Sequence, residues 1–243
     1  MLCGTWSKMP DSFLRAFRCF EKSSQRDTPP RVFQRLMNRS FVTFSWFLLC
    51  LCLASTRLVV AHPMGNFSIN HYSKLTLGPS ALEILYLIDM AEVPTFQEKP
   101  ALDLDGDGAI GPAEKQQYLT KKVDELTQGL RLSLNGSPTQ LEKVAEQVEL
   151  IPGGLGLPTL KLTLRYQLNW DRVDLKETNR LDYEDWNFPG RVGWKEITAV
   201  GSDGIQLLES SVPAADLTEQ LMSYPADPTI RPPEDLAASL KFR

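Results

Sequence analysis

Cysteine is absent from most of this chain of 243 residues, and histidine is scarce throughout. All four cysteines fall within the first 52 residues, so residues 62–243 can form no disulfide and no thiolate metal site. The two histidines are His62 and His71, which together with the lack of a G-x-S-x-G motif leaves little material for a nucleophilic triad. We therefore expect a domain that is stabilised by a hydrophobic core, with a metal ion as a second source of stability, and that is not an enzyme.

Charge divides the chain into two parts. Residues 1–61 contain nine Lys or Arg and three Asp or Glu, which leaves 17 basic and 27 acidic residues in residues 62–243. The first part therefore carries +6 and the second −10. An acidic second part argues against nucleic acid and anionic lipid as partners and suits divalent cations.

No uncharged apolar run reaches the roughly 20 residues that cross a membrane. The longest covers residues 41–54, follows Arg35 and Arg39, and precedes Val59-Val60-Ala61, a small-residue cleavage pattern. This layout predicts a secretory signal that is cleaved after Ala61, with an uncleaved anchor as the alternative. Because the residues before Met37 show no sustained apolar period, we expect translation to start at Met37 and the chain to be exported to a periplasmic or other extracytoplasmic space.

The sequence of the exported part, residues 62–243, predicts a mainly β fold. Residues 66–77 alternate apolar and polar side chains, and residues 82–90 are continuously apolar, so we expect a hairpin whose second strand is central. One helix is predicted at residues 115–128, with Pro112 in its first turn. Further short strands are predicted at residues 130–134, 141–151, 159–169, 193–200 and 204–211, the last two as a pair. The pattern favours a β-sandwich-like domain over residues 62–211, followed by a proline-rich linker over residues 212–243 that leads towards a membrane part.

The strongest motif is D-L-D-G-D-G-A-I-G-P-A-E at residues 103–114. An EF-hand loop supplies oxygen ligands to Ca²⁺ from fixed positions, with a glycine at the sharp turn and a bidentate Glu at the last position. The predicted ligands are Asp103, Asp105, Asp107, the carbonyl of Ala109, and Glu114. Ile110 is expected to anchor the loop to the core. The sequence therefore predicts one EF-hand-type Ca²⁺ site inserted between strands.

The segment that enters this loop departs from the usual EF-hand pattern. Pro94 and Pro100 lie in residues 91–102, and Pro100 argues against a regular helix immediately before the loop. The sequence contains no second loop of this type. A single loop with one exiting helix cannot open a paired hydrophobic groove, so we expect the calcium to be structural and not signalling.

Two weaker patterns leave alternatives open. Cleavage after Ala61 would place an amino group and an imidazole on His62, a chelating pair that favours nickel or copper over calcium. Together with His71 this pair would suit a periplasmic nickel or cobalt chaperone. The carboxylates of Asp182, Glu184 and Asp185 beside aromatic residues resemble those of sugar-cleaving sites, as in a secreted hydrolase. Incidental histidines and a solvated strand edge are the simpler interpretations of the two patterns.

Several motifs resemble the extracytoplasmic N-terminal domain of bacterial nickel/cobalt efflux permeases. They are H-P-M-G-N-F-S-I-N-H-Y-S-K-L and D-M-A-E-V-P-T-F-Q-E within residues 62–98, the D-x-D-G-D-G loop, G-R-V-G-W-K-E-I at residues 190–197, and Tyr224-Pro225. The resemblance covers most of residues 62–230. It implies a partner permease domain in the membrane and a role near nickel or cobalt transport, while the residues themselves indicate calcium binding.

Overall fold

The alternating segment after residue 65 forms the predicted hairpin. The structure is a computed structural model, in which residues 65–225 and 229–243 are described. In chain order the elements are β1 Ile69–Leu77, β2 Ala81–Met90, α1 Glu92–Leu102, α2 Pro112–Gly129, β3 Leu130–Leu134, β4 Ser137–Pro138, β5 Glu142–Pro152, β6 Pro158–Asn169, β7 Asn179–Asp185, β8 Lys195–Gly201, β9 Leu207–Ser210 and β10 Ala237–Phe242. The mainly β prediction is confirmed.

Two five-stranded sheets form the architecture. Sheet A has the order β5-β6-β2-β1-β8, and sheet B has the order β4-β3-β7-β10-β9. Strand β1 pairs antiparallel with β2 and parallel with β8. The continuously apolar β2 occupies the centre of sheet A, as its composition predicted. Because β2 is covered on both sides, eight of its ten side chains are buried.

The core lies between the two sheets. Leu75 and Ile88 from sheet A belong to the same buried cluster as Leu181 and Leu240 from sheet B. A hydrogen bond of 2.9 Å between the hydroxyls of Ser73 and Tyr183 also joins the sheets. The arrangement is therefore the predicted sandwich, and the helical insertion lies between β2 and β3 along the chain.

Helix α1 corrects one prediction, because Pro100 lies inside it. Pro94 falls in the first turn, where the backbone N–H has no helical partner in any case. Pro100 falls in the last turn, and the helical pattern resumes immediately after it, since the N–H of Asp103 donates to the carbonyl of Lys99 at 2.8 Å. The fully buried Leu102 packs this end of the helix into the core. Packing thus outweighs the one hydrogen bond that proline removes.

Strands β8 and β9 correct a second prediction, because they lie in different sheets and do not pair. The chain does reverse at Asp203 and Gly204, whose φ angles are 50° and 95°. Beyond the turn, however, Ile205 and Leu207 pack against the core and take the chain across to sheet B. Burial of these two side chains decides against a hairpin.

The predicted linker is also wrong for its last part. Residues 237–242 form β10, which lies between β7 and β9, and its side chains at Ala238, Leu240 and Phe242 are buried. The part up to residue 225 runs over the outer face of sheet A, where Leu221 is buried with Trp194 and Tyr72. Residues 212–243 therefore belong largely to the domain and not to a spacer.

None of the helices among the described residues is long and apolar enough to cross a bilayer. The predicted signal at residues 41–54, the start at Met37 and the cleavage position after Ala61 all lie outside the described residues.

Candidate metal centre

The acidic loop connects two helices whose ends hold its first and last ligands. Asp103 is the C-terminal cap of α1, and Glu114 lies in the first turn of α2. Pro112 occupies the start of α2, as predicted, where a missing N–H costs no hydrogen bond. Ile110 packs against the core, also as predicted. The loop therefore joins two helices, and not the single helix that was expected from the sequence.

Three of the predicted ligands lie together. One carboxylate oxygen each from Asp103, Asp105 and Glu114 lies within 4.8 Å of the other two. Asp105 is exposed, whereas Asp103 and Glu114 are partly buried. Carboxylates repel one another at such distances, so the arrangement is favourable when a cation lies between them. Because Asp103 and Glu114 come from opposite ends of the loop, a cation there would connect the two helices.

Asp103 contributes the least exposed oxygen of this group. Its side chain is 5 % exposed. The Oδ2 atom accepts a hydrogen bond of 3.1 Å from the N–H of Gly108 and lies 3.6 Å from the ammonium of Lys99. The Oδ1 atom is buried and has no hydrogen-bond partner among the described residues. A buried carboxylate oxygen without a partner is costly, and coordination of a cation would remove that cost.

Two glycines give the loop its curvature. Gly106 and Gly108 have φ angles of 76° and 85°, in the left-handed region that residues with a side chain rarely adopt. Between them the N–H of Asp107 donates to Oδ1 of Asp105 at 3.1 Å. These turns direct the backbone N–H groups towards the carboxylates, as in calcium loops.

Glu114 closes the loop through both of its carboxylate oxygens. Oε2 accepts a hydrogen bond of 2.8 Å from the N–H of Gly111, and Oε1 accepts one of 2.8 Å from the N–H of Leu104. The bond from Gly111 and then the bond from Leu104 lower the pKa of Glu114 below its ordinary value. Glu114 is therefore held as a carboxylate, the form that binds a hard cation.

Asp107 and Ala109, the other predicted ligands, lie outside this group of three. The Oδ1 atom of Asp107 accepts a hydrogen bond of 2.7 Å from the N–H of Ala109. Both residues are exposed. Their roles as ligands stay predictions.

His71, a weak candidate for a transition metal, lies between the two sheets. Its Nδ1 is 2.7 Å from Oδ2 of Asp185, and both side chains are 3 % exposed. Its Nε2 is buried and has no partner among the described residues. The second candidate, His62, lies outside the described residues, so the proposed nickel or cobalt pair stays a prediction.

The structure does not bring the three acidic residues of the hydrolase alternative together. Strand β7 alternates its faces, so Asp182 points outward and binds Arg180 at 2.9 Å, whereas Asp185 points into the core. Glu184 accepts a hydrogen bond of 2.7 Å from the indole of Trp186. Each carboxylate therefore has a different partner. Glu184 and Asp185 line one surface pocket, but Asp182 does not, and Asp185 is taken up by hydrogen bonds within the core.

The network around Asp185 was missed by sequence reasoning. Its Oδ2 accepts hydrogen bonds from the ring of His71 and from the hydroxyl of Tyr86 at 3.0 Å, and its Oδ1 accepts one of 2.9 Å from the N–H of Asn187. Asn187 in turn donates to the carbonyl of Leu126 in α2 at 3.0 Å. The alternation of side chains along β7 could have indicated this network, because it places Asp185 on the same buried face as Leu181 and Tyr183.

No protein-family model matches the chain, and no curated protein matches its sequence significantly. The resemblance to nickel/cobalt efflux permeases thus stays a prediction that depends on the quoted motifs alone.

Proposed function

We propose that residues 103–114 bind one Ca²⁺ ion and that the ion stabilises the helical insertion of an exported, non-enzymatic domain. The observation that carries this proposal is the convergence of carboxylate oxygens from Asp103, Asp105 and Glu114 within 4.8 Å of one another. The buried, unpartnered Oδ1 of Asp103 supports it independently. Oxygen ligands of this kind suit a hard divalent cation better than a transition metal.

Although a second helix, α1, flanks the loop, the ion still suits a structural role better than a signalling one. Two helices flank the loop, yet Lys122 of α2 forms an ion pair of 3.0 Å with Glu98 of α1, and Tyr118 donates a hydrogen bond of 3.0 Å to the same carboxylate. These polar contacts join the two helices, whereas sensor EF-hands expose a Met-rich groove between theirs. We favour a structural ion, with a dissociation constant roughly in the 10⁻⁴ to 10⁻³ M range of extracellular modules.

We also propose a cellular location and a role for the domain. The predicted signal supports export, and the quoted motifs support an accessory role in nickel or cobalt efflux beside a membrane permease. Calcium would then hold the domain together outside the cytoplasm, while the transported metal would pass through the partner.

Isothermal titration calorimetry of the purified chain with CaCl₂ tests the proposal. We expect one site in the wild type and no measurable binding in the variant Asp103→Asn with Glu114→Gln. Asp171→Asn is the matched control, because Asp171 is an exposed acid remote from the loop in sequence, and it should bind Ca²⁺ as the wild type does. Absence of a calcium heat in the wild type, or a heat that survives in the double variant, would falsify the calcium site.

A further inference from the structure

Residues 216–224 form a strap over the outer face of sheet A. Three consecutive residues in it, Glu219, Gln220 and Leu221, have φ angles of 48°, 62° and 61°. This left-handed conformation is costly for residues with a Cβ atom, and successive residues rarely adopt it. None of the three is a glycine, an asparagine or an aspartate, which tolerate it best. The strap therefore stores backbone strain that its contacts must offset.

Two carboxylates hold the first half of the strap. The buried side chain of Glu196 on β8 accepts a hydrogen bond from the backbone N–H of Leu217 and one of 2.6 Å from the hydroxyl of Thr218. Asp216 accepts a hydrogen bond of 2.8 Å from the hydroxyl of Tyr72 on β1. All three bonds join the strap to sheet A, and none of them involves the calcium loop.

Leu221 is the only buried apolar side chain of the strap. It packs with Tyr72, Leu87 and Trp194 in a small cluster that is separate from the core between the two sheets. The next residue, Met222, is 71 % exposed. Because the strap inserts a single apolar side chain outside the main core, it can leave its place without opening that core.

Backbone hydrogen bonds fix the chain to β8 on both sides of the strap. The N–H of Ala199 donates to the carbonyl of Pro213 at 3.0 Å, and the N–H of Lys195 donates to the carbonyl of Pro233 at 3.0 Å. Both bonds lie outside residues 216–224, so they can persist when the strap moves. The strap is therefore a segment with fixed ends, as in hinged closures.

Trp194 lies beneath the strap, where its ring meets the ring of Tyr224 edge-on at 5.5 Å. The residue is 4 % exposed, and its Nε1 has no hydrogen-bond partner among the described residues. A buried N–H without a partner is costly, and water would satisfy it once the strap opened. The closed strap thus carries two costs that opening removes, which are the left-handed backbone and this indole N–H.

We propose that the strap is a conformational latch, which opens as one unit while the two sheets stay folded and so controls access to the apolar face formed by Tyr72, Leu87 and Trp194. The closed position gains the burial of Leu221 and the hydrogen bonds to Glu196. The open position gains relief of backbone strain and hydration of the indole. Opposing contributions of this kind allow a segment to open locally, well below the free energy of global unfolding. The latch does not depend on the calcium site.

Hydrogen exchange of the full chain, followed residue by residue by NMR, tests the latch. The backbone N–H groups of Leu217, Met222 and Ser223 each donate a hydrogen bond in the closed strap. Together with the indole N–H of Trp194 they report its opening. We expect these four groups to share one opening constant that is at least about 100-fold larger than that of the amides in β1 and β2. Equal protection in the strap and in these strands, which means opening only by global unfolding, would overturn the proposal.

Substitutions at Glu219, whose side chain is exposed, isolate the role of strain. Glu219→Gly removes the cost of the left-handed backbone, so exchange of the strap should slow by about threefold or more relative to Glu219→Ala. Glu219→Ala is the matched control, because it removes the same carboxylate and keeps the Cβ atom. Equal exchange in the two variants would mean that strain does not set the opening and would count against the latch.

Leu221→Ala tests whether the strap moves as one unit. We expect the four reporting N–H groups to exchange faster by one common factor of at least about tenfold, because the plugging side chain is lost, while the amides of β1 and β2 keep their protection. Acceleration that is confined to the immediate neighbours of Leu221, or that spreads equally to both sheets, would contradict a latch.

Discussion

The carboxylate of Glu114 accepts a hydrogen bond of 2.8 Å from the backbone N–H of Leu104, ten residues earlier in the chain. This contact brings the last residue of the acidic loop back to its beginning. The three clustered carboxylates are thereby held near one another by the backbone, and a cation would add attraction to a geometry that is already formed.

Calcium should raise the thermal stability of the domain. An ion that binds only the folded state adds about 2.7 kcal/mol when its free concentration is about 100 times its dissociation constant. In a domain of this size, each kcal/mol raises the Tm by about 2 to 4 °C. We expect the Tm, measured by circular dichroism, to rise by roughly 5 to 10 °C between excess chelator and saturating Ca²⁺. Glu114→Gln should show little change, and a wild-type Tm that ignores calcium would contradict a structural ion.

Removal of the buried carboxylate on β7 should destabilise the sandwich strongly. Asp185→Ala leaves the ring of His71, the hydroxyl of Tyr86 and the N–H of Asn187 without their shared acceptor. Breaking a buried pair of this kind costs about 3 kcal/mol or more. Asp182→Ala, on the outward face of the same strand, should cost less than about 1 kcal/mol. Urea denaturation measures both, and equal costs would mean that the buried network adds nothing.

The C-terminal strand should be essential to the fold. Leu240 is 1 % exposed between β7 and β9, so Leu240→Ala should reduce the free energy of unfolding by about 3 kcal/mol. Leu236, which is 38 % exposed, is the matched control, and Leu236→Ala should cost less than about 1 kcal/mol. Chemical denaturation distinguishes the two. If Leu240→Ala unfolds at the wild-type midpoint, β10 is dispensable and the linker interpretation returns.

Mass spectrometry of the exported chain can test the predicted position of signal cleavage. We expect the mature N-terminus to be His62, because Val59 and Ala61 present small side chains at the cleavage positions. Ala61→Arg should block cleavage and leave the longer chain with the membrane fraction. Thr56→Ala, upstream of the cleavage positions, should be processed normally. A cytoplasmic chain that keeps the residues immediately before His62 would exclude export.

Patterns of short range were recognised correctly from the sequence. The hairpin of β1 and β2, the position of Pro112 in the first turn of α2 and the anchoring of Ile110 were all predicted. Each depends on side-chain period, on turn residues or on proline geometry within a few neighbours. The spacing of acids in residues 103–114 belongs to the same class, since the loop itself sets the distances between them.

The wrong predictions have one common cause, which is packing between residues that are far apart in the chain. Pro100 argued locally against α1, yet burial of Leu102 sustains the helix. The prolines after residue 211 suggested a linker, while the alternation of Ala238, Leu240 and Phe242 was short and easily overlooked. Local rules could not decide either case, because the free energy of burying a side chain depends on which sheet covers it.

The sequence by itself determined that this protein has a β-rich domain with an acidic loop of EF-hand spacing, because those features depend on neighbouring residues. Only the tertiary structure decided that β8 and β9 lie in separate sheets, that Asp185 meets His71, and that Trp186, Phe188 and Lys195 line one pocket. These residues are brought together by the packing of two sheets, and no spacing along the chain encodes that contact.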